Sequence, residues 1–310
     1  MGKTARKQHI RLSVGDRVFV TINTILIILF VIVELYPMIF VLSASFSEPT
    51  MVGSGQMLLW PVKPTLQGYQ FILQYKTIWG GYANTLFYTI VGTSFNLFVT
   101  IPCAYALSRK DFPDKGIFML LFMFTMYFSG GTIPMYLNYK SLGLLNTRWV
   151  IIICGALSVY NMIVARTFFA NTIPWELHEA ARIDGASDFR TFFSIVLPLS
   201  KAIMAVMVLY YGVAHWNQYF IALMYLPKAQ ELWPLQMVLR DILIKGQFAA
   251  KSMGDGVMDP QEMLELLRQA DTANIMKYCV IVVATVPMLI IYPFLQKFFA
   301  KGVMIGSVKG

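Results

Sequence analysis

Charge is what this sequence has least of. Asp, Glu, Lys and Arg together make up 13% of its 310 residues, about half the roughly 25% of a soluble domain, so the chain cannot cover itself with a water-facing surface. Cysteine and histidine are scarcer still. Cys103, Cys154 and Cys279 fall inside apolar runs, show no C-x-x-C spacing and are odd in number, which fits small packing residues and argues against a disulfide framework or a thiolate metal site. His9, His178 and His215 are far apart in sequence and form no ligand cluster, which argues against a metal enzyme. Gly2-Lys3-Thr4 matches the last residues of a phosphate-binding loop, but the upstream glycine and strand that give such a loop its shape are missing. The formal charge of +9 raises nucleic acid as a partner. The basic residues lie at the ends of apolar runs, however, with no basic stripe or aromatic RNA-binding pattern, so no nucleic acid is expected.

What the sequence does have is apolar length. Hydrophobic residues make up 57% of it and the mean hydropathy is +0.61, values of an integral membrane protein. Six spans are predicted, at about 18–43, 84–107, 116–136, 149–169, 199–216 and 275–294. The first is too long for a signal-peptide core and lacks an A-x-A-like cleavage site, so it reads as retained. It contains Glu34, whose cost of roughly 2.5–3.5 kcal/mol at a helix centre is outvoted by more than a dozen Leu, Ile, Phe and Val at about −0.3 to −0.6 each. Glu34 is expected to face protein or water, in a structural or a functional role, and Pro37 to kink the helix. A turn-rich loop over 48–82 holds a short amphipathic piece at 69–78, with aromatic anchors of the interfacial kind. Gly130, Gly131 and Pro134 predict a broken or closely packed end to the third span. Within the long outer segment 217–274, Asp259-Pro260-Gln261-Glu262 is a helix-start signature, followed by Met263, Leu264 and Leu267 as an apolar face.

Orientation follows from Lys and Arg. The segments at 1–17, 108–115, 170–198 and 295–310 carry most of them, including Lys3, Arg6, Arg109, Lys110, Arg182, Arg190, Lys297 and Lys301. The short loops on the other side hold Lys63, Lys76, Lys140 and Arg148. The positive-inside rule then places both termini in the cytoplasm. The division is a cytoplasmic segment 1–17, a membrane domain 18–299 with a cytoplasmic loop at 170–198, and a cytoplasmic tail 300–310.

One stretch of that loop is polar between apolar neighbours: Glu176 to Ala186, running on to Ile195-Val196-Leu197-Pro198. Pro174 and Glu176 suit a helix start, and Glu176, Glu179, Ala180 and Ile183 recur at helical spacing. Gly185 can adopt the left-handed conformation that ends such a helix, and Pro198 marks the next boundary. Spacing alone leaves two readings open, a docking element and an ordinary solvated loop.

Glu179-Ala180-Ala181, three residues, Gly185, nine residues and Ile195-x-Leu197-Pro198 resemble the EAA signature of bacterial ABC importer permeases. Leu42-Ser43-Ala44-Ser45-Phe46-Ser47, Ala104-Tyr105-Ala106-Leu107-Ser108-Arg109, Trp216-Asn217 and the ending from Tyr292 to Gly310 are similar to MalG-like carbohydrate permeases. Trp233-Pro234-Leu235-Gln236 looks closest to the LplC/YtcP-like subgroup, linked to complex oligosaccharides. The resemblance covers nearly the whole chain. It implies an all-α type I importer transmembrane domain in the bacterial cell membrane, with a cytoplasmic coupling helix. It also implies a second permease, usually a different chain, two ATPase subunits that hold ATP and Mg, and an extracellular solute-binding protein that delivers an oligosaccharide. The chain itself is expected to be non-catalytic and to hold no cofactor. Carried over, the ATPase-docking residues are Glu179, Ala180, Ala181 and Gly185, flanked by Arg182 and Asp184.

For the substrate route, aromatic stacking and Asn, Gln or Tyr hydrogen bonds suit a sugar. The candidates are Asn84, Tyr88, Asn96, Tyr127, Tyr160, Asn161, Tyr210, Tyr211, Trp216 and Asn217, with mid-span Tyr160 and Asn161 foremost. Each is better explained by interhelical hydrogen bonding or an interfacial belt. Two other classes are weighed against the importer. A membrane-embedded glycosyltransferase needs an acidic cluster, for which Asp111 and Asp114 are the nearest match and read better as a charged turn. A secondary transporter needs intramembrane ionisable groups, for which Glu34 is the candidate.

Overall fold

The computed structural model describes residues 13–252 and 260–306. Most of the basic segment 1–17, Asp259 and the last residues, with Lys309, lie outside them. Among the described residues the architecture is helical, and pairing of the strand type is confined to an isolated antiparallel bridge between Ser47 and Pro64.

The chain divides into two compact units. One comprises the N-terminal part up to Gln70 together with Asn274–Val282. Its main element is α1 (Val14–Ser45), started by a reciprocal capping box between Ser13 and Asp16 and continuing through Pro37 without ending there. A short α2 (Pro49–Gly53) follows. The Ser-x-Ser-x-Ser pattern at the end of α1 has a physical reason: its buried hydroxyls hold the next loop. Ser43 donates to the carbonyl of Leu59 at 2.5 Å, Ser45 pairs with the Tyr69 hydroxyl at 2.8 Å, and Ser47 accepts from the Val62 amide at 3.1 Å. Ala44, Val52 and Met57 form the core, with Phe40 edge-on to Tyr278 and the Cys279 thiol donating to the Ser45 carbonyl.

The other unit comprises Phe71–Ala273 and the chain from Val283 onward. Helix α3 (Gln67–Gln74) ends one residue before α4 (Lys76–Phe87), so the single amphipathic piece expected over 69–78 is divided at Tyr75. A π-helical turn (Tyr88–Gly92) joins α4 to α5 (Thr93–Ser108) in one long helix. The span expected at 84–107 therefore starts eight residues earlier, at Lys76.

Beyond α5 the helices are broken where backbone chemistry breaks them. α6 (Lys115–Tyr127) and α7 (Thr132–Ser141) are bent by 109° at a hinge containing Gly131, whose φ is +91°. The continuous span predicted over 149–169 is instead two helices, α8 (Arg148–Ile153) and α9 (Val159–Thr172). Gly155 turns the chain at φ +78°, and the Ser158 hydroxyl caps the new helix by accepting from the Asn161 amide. Helix α10 (Trp175–Ile183) is followed by α11 (Asp188–Thr191), a second π turn (Phe192–Val196) and α12 (Leu197–Leu199). This last run meets α13 (Lys201–Trp216) at a bend of 82°, two residues past Pro198. After α14 (Phe220–Tyr225), a 3-10 turn (Gln230–Leu232) and α15 (Leu235–Ser252) comes α16 (Pro260–Gly306). The helix-start signature expected at Asp259-Pro260 begins outside the described residues; from Pro260 onward the chain is helical, and nothing between Asp271 and Ile275 stops a helix, so the outer helix and the sixth span are one element.

Among the described residues three helices are long and apolar enough to cross a membrane, Val14–Ser45, Lys76–Ser108 and the Met276–Pro293 part of α16, or five if each bent pair is one span. The core of the second unit lies where α5, α9 and α13 meet, with Ala104 and Ala165 fully buried between Ile101, Met162 and Met207. Small residues there let helix backbones approach closely, which is the main source of packing energy in an apolar solvent.

Candidate functional site

The polar stretch folds as the sequence predicts. Helix α10 spans nine residues, with Pro174 in extended conformation before it, Glu176 in its first turn and Arg182 in its last. Gly185 closes it at φ +72°. Its amide donates to the Arg182 carbonyl, and that of Ala186 to the Ala181 carbonyl, the paired bonds of a Schellman stop. Glu176, Glu179, Ala180 and Ile183 lie exposed along the helix, as do Arg182, Asp184 and Gly185. The two alanines are not equivalent: Ala181 is buried within this chain, while Ala180 faces out. Ile183, one turn beyond Glu179 on the helix, is 86% exposed, and Phe189 at the start of α11 is 78% exposed.

The inner side of α10 rests on the end of α5. The His178 ring stacks between Trp175 and Tyr105, at 5.1 and 5.9 Å between centroids, both at 16°. Tyr105 also packs on Phe192. Arg109, whose side chain is 12% exposed, is the hub. Its Nε and Nη2 grip both carboxylate oxygens of Asp111 at 2.8 and 2.5 Å. Its Nη1 donates to the Tyr105 hydroxyl at 3.2 Å and pairs with Asp188 at 2.8 Å. Arg182 donates to Asp111 at 2.8 Å, so this candidate docking residue has its partner within the chain. The bidentate guanidinium holds the Asp111 carboxyl well below the usual carboxylate range. Burial, and then the positive charge of Arg109, hold His178 below the usual imidazole range. A cleft of about 280 Å³ opens beside this cluster, lined by Ser108, Lys110, Asn171, Thr172 and Trp175 among others.

Sequence reasoning found the helix, its face and its stop, but missed the hub. Asp111 reads as a turn residue until the fold brings Arg182, seventy-one positions away, within 2.8 Å. The signal that was present is the Arg109-x-Asp111 pair directly after an apolar run.

The substrate-route candidates separate into committed and uncommitted groups. Asn84 donates to the carbonyls of Glu231 and Trp233, and Tyr88 to that of Leu232. Asn96 bonds the carbonyls of Gly155 and Ala156, and Tyr211 pairs with Thr100 at 2.7 Å. Trp216 is buried, with its indole N–H on the Ala284 carbonyl at 3.0 Å. These side chains tie their helices to neighbouring helices or to the turns beside them. Asn161 is buried, Tyr160 is 56% exposed, and Tyr210 is 38% exposed. Asn217 is exposed, donates its side-chain amide to the Val213 carbonyl at 3.1 Å, and lines a cavity of about 400 Å³ with Gln236, Met288 and Tyr292. His215 joins the buried network, its Nε2 at 2.7 Å from the side-chain amide oxygen Oδ1 of Asn96. A side chain on Gly92 would put its Cβ 2.5 Å from that ring. Among the described residues no three His, Cys, Asp or Glu side chains come together as metal ligands.

Residues 77–305 match the family described as the binding-protein-dependent transport system inner membrane component. The chain is 40% identical over 287 residues to the polygalacturonan/rhamnogalacturonan transport system permease protein YtcP of Bacillus subtilis (strain 168), spanning 92% of this chain and 96% of YtcP. It is 38% identical over 281 residues to protein LplC of the same strain, spanning 90% of each. A chain of a bacterial ABC transporter involved in the import of the acidic polysaccharide alginate, known from its crystal structure, superposes with a TM-score of 0.81 at 34% identity. The match covers 94% of this chain and 99% of that one.

Proposed function

The chain belongs to the family of binding-protein-dependent transport system inner membrane components, the non-catalytic permease subunits of ABC transporters, and from that premise we propose that it takes an oligosaccharide or polysaccharide fragment inward by alternating access. The observation that carries the coupling is α10: a rigid polar helix with a closed end and an uncovered face of Glu179, Ala180 and Ile183. In this reading α10 faces the cytoplasm, as do both termini, and seats in a groove of a separate ATPase subunit. The polypeptide crosses the membrane six times, through α1, α4–α5, α6–α7, α8–α9, α11–α13 and α16. A second permease completes the pathway, two ATPase subunits hold ATP and Mg, and an extracellular binding protein delivers the sugar. Relatives named for polygalacturonan, rhamnogalacturonan and alginate favour an acidic oligosaccharide over a neutral one. Tyr160, Asn161 and Asn217 are the side chains proposed to meet it; Trp216 would act through packing.

Glu179 tests the coupling. A carboxylate buried against a basic ATPase residue costs about 3–5 kcal/mol to unpair, whereas an exposed pair is worth roughly 0–1. Glu179→Ala, or a bulky residue at Gly185, is expected to leave membrane insertion intact and abolish sugar uptake by the reconstituted complex. Sugar-stimulated ATPase activity across neutral and uronic-acid oligosaccharides then identifies the cargo. Uptake by the isolated polypeptide without ATPase subunits would overturn the assignment.

A further inference from the structure

The cluster around Arg109 is more than the docking of α10 requires. Its centre, Arg109, is largely buried while Arg182 and Asp188 reach it from the exposed surface, and the cluster gathers three separate pieces of chain. Arg109 is the residue that ends α5. Asp111 reaches Arg182, just before the Gly185 stop of α10, and Asp188 begins α11 just after it. Arg109 therefore holds the α11 end of the turn directly through Asp188 and the α10 end through Asp111 and Arg182, and ties the turn to a membrane-length helix. The stack of Trp175, His178 and Tyr105 fixes the opposite end of α10 to the same helix. Arg182 and Asp188 are 69% and 76% exposed, so their ion pairs add little to static stability. What they add is direction: a fork-shaped donor with fixed geometry transmits displacement along set lines.

We infer that Arg109 and Asp111 form a brace that passes movement of α10 into the end of α5, a positioning role distinct from contact with the ATPase. The inference rests on the docking reading of α10 above. Its test uses the whole complex, with ATPase subunits and binding protein, in proteoliposomes, and reads sugar transported per ATP hydrolysed. Asp111→Asn keeps the shape and removes the charge. The ATPase is expected to co-purify as before, while transport per ATP falls at least about fivefold, the lower end of a typical coupling interaction. Asp111→Glu restores the charge and should recover most of the ratio. Asp111→Asn combined with Arg182→Gln should lose no more than Asp111→Asn alone, because both remove the same contact.

An unchanged ratio in Asp111→Asn, or additive loss in the double variant, would overturn the brace. So would loss of the ATPase on purification, which would make Asp111 a docking residue. Glu179→Ala, assayed alongside, separates the two ideas. Normal uptake there removes the docking reading and the brace with it, whereas lost uptake there with an unchanged ratio in Asp111→Asn removes the brace alone.

Discussion

Gly92 and His215 show how much a single missing side chain can decide. The imidazole occupies the space a Cβ at position 92 would need, with both Cε1 and Nε2 at 2.5 Å from it. That position lets Nε2 reach Asn96, which in turn holds the carbonyls of Gly155 and Ala156 at the break between α8 and α9. Gly92→Ala is expected to displace the ring and lower stability by about 1–3 kcal/mol, as overpacking of a filled interior does. The thermal midpoint of the detergent-solubilised complex measures it. A second change, His215→Ala, should recover part of the loss by emptying the contested space. A Gly92→Ala protein that melts with the parent would show that the ring moves without cost.

At the scale of elements, α10 with its aromatic stack is expected to respond to pH. His178 binds a proton less readily in the folded chain than its ordinary value of about 6.5. The sign follows: its contribution is fully favourable above about pH 6.5, and it declines as the pH falls from there through the lower folded value, because the unfolded chain then binds more protons. Thermal melts between pH 8 and 5.5 should slope downward toward acid, and His178→Phe, which stacks without titrating, should flatten that slope. An equal slope in both proteins would assign it to other groups. This element was also the most legible part of the sequence. Glu176, Glu179, Ala180 and Ile183 share a face because helical spacing is a local property, and Gly185 stops the helix because its backbone is free to turn left-handed. The outward Ala180 and inward Ala181 were not distinguishable, since which side a helix buries depends on what packs against it. The break in the span predicted over 149–169 was missed for the opposite reason. Gly155 and Ser158 are local signals, but apolar residues on both sides masked them. The continuity of α16 through 271–275 was missed because a change in composition there was read as a change in structure. Asp111 illustrates the remaining gap, since a contact with Arg182 is written into no short window of residues.

For the molecule as a whole, the reading depends on which side of the membrane α10 occupies. Ile183 is 86% exposed and part of the proposed docking face, so it reports that side directly. In a chain whose Cys103, Cys154 and Cys279 have been replaced, Ile183→Cys should react with an impermeant thiol reagent from the cytoplasmic side, and assembly with the ATPase should protect it. Reaction from the outer side would reverse the orientation. At another place in the same unit, α4 grips the segment that leads into α15. Asn84 and Tyr88 hold the carbonyls of Glu231, Leu232 and Trp233, while Thr85 accepts from the Leu235 amide at 2.8 Å. A partner that lands on this segment meets a surface already ordered, and so forfeits little conformational entropy on arrival.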